Sequence, residues 1–452
     1  MNLVKYNDKA GKYYPYTIKN IDNAYYFYNI VTNAVFLMDD RAYNILVKNH
    51  NPEDEAYVDT IKFFEDNFIL VTPENDKNLE KIYSNIVKNK KSLNATALTL
   101  MISQECNLRC KYCYGKDGEY SNKGKMDFSI AKKAIDYFIS KAPSDKLNIC
   151  FFGGEPLLNF ELIKEVVDYV RQIEKMTDKK FTFCMTTNAT LINQEIRTFI
   201  KKNRISITVS IDGTKDMNDA NRFYANKHGI YDDIKKNTSN LNTYMLARAT
   251  MSPPNLDVLK SVKHLVEEFD FKRVAWAEAD NLLSEEDYKL VEKSTLMLID
   301  NLELLIKEGK YELVKKYHSF INMLQKFNSD GIRSKGCGAG SNLMAVDIDG
   351  KIYPCHRFVG IESAIIGDVN DYEKENADFY SVIDLENFEK CRSCIAKSIC
   401  GGGCISENYY ATDRINEPSD KHCKFKIEIV DRMLDVYIRL DDISKKKLFS
   451  RS

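Results

Sequence analysis

Residues 96–113 read TALTLMISQECNLRCKYC, an apolar run of strand length that stops at three cysteines set closely along one loop. The apolar and β-branched side chains of the run, followed at once by polar residues, are the pattern of a buried strand. Five more apolar runs follow: LNICFF, KFTFCMTT, ISITVSID, YMLARATM and KRVAWAE. Helical stretches lie between them, including DFSIAKKAIDYFISKA, LIKEVVDYVRQIEKM, NQEIRTFIKKN, YDDIKKNTSNLN and LDVLKSVKHLVEEF. Six β-α units in series predict an α/β fold with a parallel sheet, read here as a partial (β/α)6 barrel core. With its connecting helices the core spans residues 96–330. Polar residues at the carboxyl ends of such strands face the site, and the motifs of this chain fall at those ends.

Outward from the core, residues 1–75 read as a unit of their own. In NAYYFYNIVTNAVFLMDD two short strands flank a turn at Thr32 and Asn33, and Asp39 and Asp40 are placed to cap a helix, DDRAYNILVKN. A second helix, DTIKFFEDNF, and a short strand, ILVTP, complete a winged-helix-like module. Residues 76–95, within ENDKNLEKIYSNIVKNKKS, form a charged linker helix. After a helical stretch over 285–328, residues 331–452 make a cysteine-rich domain that ends in a helix near KFKIEIVDRMLDVYIRLDDIS.

Hydrophobic residues make up 44% of the 452, ample for a core. The 65 basic residues are matched by 66 acidic ones, for a net charge of -1. That balance argues against a general nucleic-acid or anionic-membrane binder. The start, MNLVKYNDKAGKYYPYTIKN, has charges throughout and no apolar signal region, and no segment is apolar for long enough to span a bilayer. A cytoplasmic location is the expectation. Twelve cysteines then call for metal or redox chemistry rather than disulfides. Ten fall into two clusters, while Cys150 and Cys184 stand apart in apolar runs and read as buried strand residues.

In CNLRCKYC, three thiolates (Cys106, Cys110, Cys113) can hold three irons of a four-iron cubane and leave the fourth iron open, where clusters normally take four cysteines. Zinc is the alternative, but structural zinc wants four ligands and no fourth lies nearby. The loop resembles the C-x3-C-x-aromatic-C signature of the radical S-adenosylmethionine (SAM) superfamily, with Tyr112 at the aromatic position. The resemblance covers residues 96–280 and implies further roles. FFGGEP, with Gly153, Gly154 and Glu155, matches the segment that holds the methionine amino group. Ser210 in SIDG and Arg222 look like ligands of the methionine carboxylate or ribose. Tyr112 would reach adenine through its backbone. TTNAT resembles the family's TNG-type turn, with Ala189 in place of Gly.

The tail reads Cys337-x12-Gly350-x4-Cys355, then Cys391-x2-Cys394-x5-Cys400-x3-Cys404-x18-Cys423. Seven thiolates exceed one four-ligand site, and spacing alone leaves a pair of zinc sites open. The pattern resembles the SPASM domain, the iron–sulfur extension of peptide-modifying radical SAM enzymes. By that resemblance Cys391, Cys394, Cys400 and Cys423 hold an outer auxiliary cluster, and Cys337, Cys355 and Cys404 an inner one. SAM and three [4Fe-4S] clusters are therefore the implied cofactors. The inner set is one thiolate short, so a substrate cysteine can complete it. Sulfatase-maturing relatives carry an Asp base after the second tail cysteine; here His356 stands there, which lowers that reading.

The front module shows no basic recognition helix and resembles the element with which peptide maturases grip a leader strand. Together the three regions resemble thioether-forming (sactipeptide or ranthipeptide) maturases of cysteine-rich precursor peptides. The resemblance implies that a 5′-deoxyadenosyl radical abstracts hydrogen from the peptide, and the peptide radical closes on a cysteine sulfur. It also implies a leader-bearing precursor and an external low-potential electron donor of the flavodoxin or ferredoxin type. Other radical SAM outcomes (a carbon–carbon crosslink, epimerisation, Ser or Cys oxidation) are the alternatives in the same class. A zinc-stabilised binding protein without turnover is the alternative in another class.

Overall fold

Asp22 and Asn23 both adopt left-handed backbone angles (φ 52° and 65°), as a tight two-residue hairpin requires. They join β1 (Tyr16–Ile21) to β2 (Ala24–Asn29), and the turn containing Asn33 joins β2 to β3 (Val35–Leu37). In this computed structural model residues 12–50, 55–88, 94–120, 122–329, 331–371 and 383–450 are described. Residues 1–11 of the front unit and 89–93 of the linker lie outside them.

The front sheet thus has three antiparallel strands where the sequence suggested two. The extra strand, YTIKNI, alternates polar and apolar residues only weakly, which hid it. Asp39 caps the helix Asp40–Leu46 by accepting from Ala42 N at 2.8 Å, and the helix Val58–Asp66 follows. The expected strand ILVTP is absent. Leu70 makes a single bridge to Tyr13, and Pro73 opens the helix Pro73–Lys88, where its missing N–H is no loss.

The six core strands are β4 (Ala97–Ser103), β5 (Lys146–Gly153), β6 (Lys180–Thr187), β7 (Ser206–Ser210), β8 (Met245–Met251) and β9 (Arg273–Glu278). All pair in parallel in chain order. Side chains alternate between the two faces with period two. In β8, Met245, Ala247, Ala249 and Met251 are buried, while Leu246, Arg248 and Thr250 on the other face are half-buried. Amphipathic crossover helices such as Phe160–Met176 and Val258–Glu268 bury their apolar stripes in this core. Inward residues of β5 to β9 (Phe152, Thr186, Ser210, Arg248, Trp276) line one cavity, so the sheet curves around it.

Three carboxy-terminal strands extend the same sheet: β10 (Leu343–Val346), β11 (Lys351–Tyr353) and β12 (Gly367–Asp368). The order is β12-β11-β10-β4-β5-β6-β7-β8-β9, with β10 parallel to β4. The long helix Glu285–Lys307 packs on the helix Asp420–Arg439, whose residues Phe425, Lys426, Ile429 and Val430 wall the open side of the cavity. The front unit docks on that same helix: Lys19 lies 2.7 Å from Asp431 and 2.8 Å from Asp435. Asn33 adds hydrogen bonds to the carbonyls of Lys326 and Ser329.

The Lys19 side chain is only 10% exposed, and removing it leaves two part-buried carboxylates facing each other. Lys19→Met is expected to lower stability by about 1–3 kcal/mol in denaturant unfolding. Adding Asp431→Asn to that variant should recover part of the loss.

Candidate functional site

Where β4 and β5 end, their loops touch backbone to backbone. Gly154 N donates to Ser103 O at 2.7 Å and Glu155 N to Glu105 O at 2.8 Å. A Cβ on Gly154 would lie 2.3 Å from Glu105 O and 2.7 Å from Gly118 O, so only glycine fits. This contact sets the cysteine loop against FFGGEP. Cys106 Sγ accepts from Leu108 N at 3.4 Å, and Asn188 Nδ2 lies 4.0 Å from it. Burial pushes the Cys106 thiol up to about 12, with Glu155, Cys110 and Cys113 adding to the effect. The three cysteines are thus electrostatic neighbours on one loop.

Glu155 does not line the cavity. Its carboxylate is fully buried and accepts from Thr187 Oγ1 (2.7 Å), Asn188 N (2.8 Å) and Leu157 N (3.1 Å). Burial raises its pKa to about 7 against the pull of those bonds. Beside it, Ala189 holds a left-handed φ of 62°, the conformation that glycine would take without strain. Its N–H is tied to Thr187 Oγ1 at 3.0 Å.

Ser210 lines the cavity at the end of β7, and two residues later Asp212 organises the whole wall. Asp212 is fully buried. Its Oδ2 accepts from Tyr112 OH at 2.6 Å and sits 3.1 Å from Arg222 Nε, while Oδ1 accepts from Thr250 N at 3.0 Å. The Arg222 guanidinium lies 5.1 Å over the Tyr112 ring, with Nη1 3.9 Å from Cys110 Sγ. Tyr112, Arg222 and Cys110 therefore meet through an acid to which the sequence analysis assigned no role. Its signal was the acidic residue inside the strand-end SIDG.

The tail cysteines gather into two sets. Cys391 is pushed up to about 12 by burial and then by Cys400, Cys394 and Cys423. Cys355 is pushed up to about 12 by burial, with Cys404 and Cys337 contributing. Gly336 and Gly401 bring Cys337 to the other loop: a Cβ on Gly336 would lie 1.8 Å from Gly401 O. Among the described residues no three Cys, His, Asp or Glu side chains converge closely enough to hold a single metal ion. Cys150 and Cys184 are half-buried and directly opposite each other on β5 and β6, away from the cavity lining.

A cavity of about 740 Å³ joins these parts. Cys106, Cys110 and Cys113 border one side, and Cys400, Cys404 and His356 another. His356 stacks on Phe152 with ring centroids 4.2 Å apart, and burial together with Arg357 and Arg248 pushes its imidazole down to about 3. Glu278, at the end of β9, pairs with Lys426 at 3.0 Å, and Arg357 pairs with Glu407. Sequence reasoning passed over Arg248 and Glu278, whose signal was a charge within an apolar strand.

Residues 100–256 match the family model described as the Radical SAM superfamily. An uncharacterized protein of Methanocaldococcus jannaschii, MJ0907, is 34% identical over 61% of this chain and 90% of its own length. The cysteine-type anaerobic sulfatase-maturating enzyme of Clostridium novyi is 25% identical over 67% of this chain and 85% of that one. The radical SAM cyclopropyl synthase TigE of Paramaledivibacter caminithermalis is 24% identical over 87% and 88% respectively. Among solved structures, native anSMEcpe with bound AdoMet and Cp18Cys peptide superposes with a TM-score of 0.63 at 20% identity, covering 76% of this chain and all (100%) of that one. With the cysteine loop, the strand-end cavity and these likenesses in agreement, the chain belongs to the Radical SAM superfamily and is an enzyme that uses S-adenosylmethionine.

Proposed function

We propose that this enzyme installs cysteine thioether crosslinks in a ribosomally made, cysteine-rich precursor peptide. The observation that carries the reading is the set of Cys337, Cys355 and Cys404, one thiol short of four, with Cys404 on the cavity that Cys106, Cys110 and Cys113 also border. The donors fit iron–sulfur clusters. Each set brings together thiols, and the ionised forms of neighbouring thiols repel one another, a conflict that bound cations relieve. Three [4Fe-4S] clusters would be held by Cys106, Cys110 and Cys113; by Cys391, Cys394, Cys400 and Cys423; and by Cys337, Cys355 and Cys404. Held by Cys106, Cys110 and Cys113, such a cluster would supply the electron needed for reductive cleavage of SAM.

The chain's own residues orient and enclose. Ser210 and Arg222 would bind the carboxylate or ribose of SAM, with Asp212 fixing the guanidinium and the Tyr112 ring. Gly153 and Gly154 leave room for the methionine amino group beside their backbone. Glu155 would act from behind, as the residue that fixes the loop after β6. Phe152, Trp276 and Phe425 exclude water from the volume in which a hydrogen atom would move.

The front unit would grip the leader as a winged-helix-like recognition module. β3 is an edge of its sheet, its last residue Leu37 is 66% exposed, and Phe63 on the helix Val58–Asp66 is 42% exposed. An extended peptide can add to such an edge and place side chains on the exposed apolar surface. An external electron donor of the flavodoxin or ferredoxin type completes the reading. The C. novyi relative favours a second outcome, oxidation of a peptide Ser or Cys, in which no crosslink forms.

Anaerobic co-expression with a candidate leader-bearing, cysteine-rich precursor peptide, followed by mass spectrometry, tests the conclusion. Loss of two hydrogens per thiol consumed is the expected result, and an unchanged mass refutes the reading for that peptide. Cys337→Ala should abolish crosslinked product while SAM cleavage continues; unchanged product would contradict a role for the inner set. Asp212→Asn is expected to weaken SAM binding roughly 10–100-fold in equilibrium dialysis, because it removes the anchor of a buried cation. Leu37→Asp with Phe63→Asp should lower leader-peptide affinity about tenfold or more by fluorescence anisotropy without changing the unfolding midpoint, since both side chains are exposed.

A further inference from the structure

Among the described residues, Arg248 is a cavity cation that forms no ion pair. Arg248, on the inward face of β8, lines the cavity and makes a single hydrogen bond, from Nη1 to the carbonyl of Trp276 at 2.9 Å. A guanidinium has five N–H donors in a fixed fork that matches a carboxylate. Among the described residues no acidic side chain lies within ion-pair distance of it. The nearby acids are engaged elsewhere: Asp212 with Arg222, Glu278 with Lys426, Glu407 with Arg357, and Asp280 with Tyr288 and Lys421. Burial holds the Arg248 pKa below the ordinary arginine value, with Glu278 offsetting part of the effect and Arg357 adding to it. A half-buried, charged fork that faces a cavity with donors to spare is a receptor for an anion.

We propose that Arg248 receives a carboxylate of the substrate, an Asp or Glu side chain of the peptide that enters this cavity. The proposal rests on the peptide-modifying reading above and adds the class of residue that is anchored. The rival source of a carboxylate is the methionine end of SAM, because Ser210 pairs in register with Arg248 on the adjacent strand. Position favours the substrate. Arg222 already stands with Tyr112 and Cys110 on the side of the first cysteine set. Arg248 instead hydrogen-bonds across to Trp276 of β9, whose end carries Glu278 paired with Lys426 of the tail helix Asp420–Arg439. An acidic side chain bidentate to Arg248 would hold its own backbone near the middle of the cavity, between the two cysteine sets. A neutral amide of the same shape would leave the cation without a counter-charge in the cavity.

The test uses anaerobically reconstituted holoenzyme and two probes, N-acetyl-aspartate methylamide and its asparagine counterpart, followed by ligand-observed NMR. Wild type is expected to bind the aspartate probe at least tenfold more tightly. Arg248→Met should erase that preference, and Arg248→Lys should keep part of it. No preference in wild type overturns the proposal, and that comparison stands even if the Met variant does not fold. A preference that survives in Arg248→Met overturns it as well. SAM affinity is measured on the same preparations by equilibrium dialysis. A tenfold loss of SAM affinity in Arg248→Met, with the probe preference intact, assigns Arg248 to the cofactor and also refutes the proposal. Absence of a crosslink in the precursor peptide, with the probe preference still following Arg248, would count against the thioether reading alone.

Discussion

One buried carboxylate, Asp212, fixes the geometry of the cavity wall beside the Cys106–Cys113 loop. It accepts from a tyrosine of the cysteine loop, from the backbone of β8, and faces an arginine that follows β7. A charge so deeply placed is tolerable only because its partners satisfy it on every side. The arrangement therefore couples elements far apart in sequence: displace the acid, and the arginine, the aromatic ring above Cys110 and the exit of β8 all lose their common reference. Its carbonyl is held too, by Asn255 Nδ2 at 2.7 Å and Ser261 Oγ at 2.6 Å, so the anchor is itself anchored.

The remaining charges of the cavity follow a consistent division. Acids of the β9 end and the tail pair with Lys426 and Arg357, which leaves the inward face of β8 positive. The aromatic and aliphatic residues between them, Phe152, Trp276 and Phe425, lower the local dielectric and strengthen each of these interactions. Reactive intermediates are thus enclosed by side chains whose polar groups are committed, apart from those turned toward a ligand.

The core was legible from sequence because its signals are local. Each of the six parallel strands is an apolar run with a polar exit, and strand exits are where CNLRCKYC, FFGGEP and SIDG stand. The division of the tail cysteines came from a family resemblance, because spacing alone left two zinc sites open. What escaped depends on partners far away in the chain. YTIKNI is a strand only because AYYFYN pairs with it, while ILVTP fails as one because Pro73 begins a helix. Glu155 faces the loop after β6 instead of the cavity, since three hydrogen-bond donors wait there. Neither that preference nor the pairing state of Arg248 can be read from neighbours in sequence.

The parallel pairing of β10 with β4 has a consequence for how the molecule is assembled. The strand that leads into Cys106 lies inside the completed sheet, yet its partner on one side is made some 240 residues later, at Leu343–Val346. During synthesis, six strands can pair while β4 still presents an apolar edge, a surface on which a nascent chain can pair wrongly. Only when the carboxy-terminal strands arrive is that edge covered, and the same segment delivers Cys337 and Cys355 to their places. Closure of the sheet and placement of Cys337 and Cys355 are therefore one late event, so a chain released early would expose the open β4 edge and be aggregation-prone.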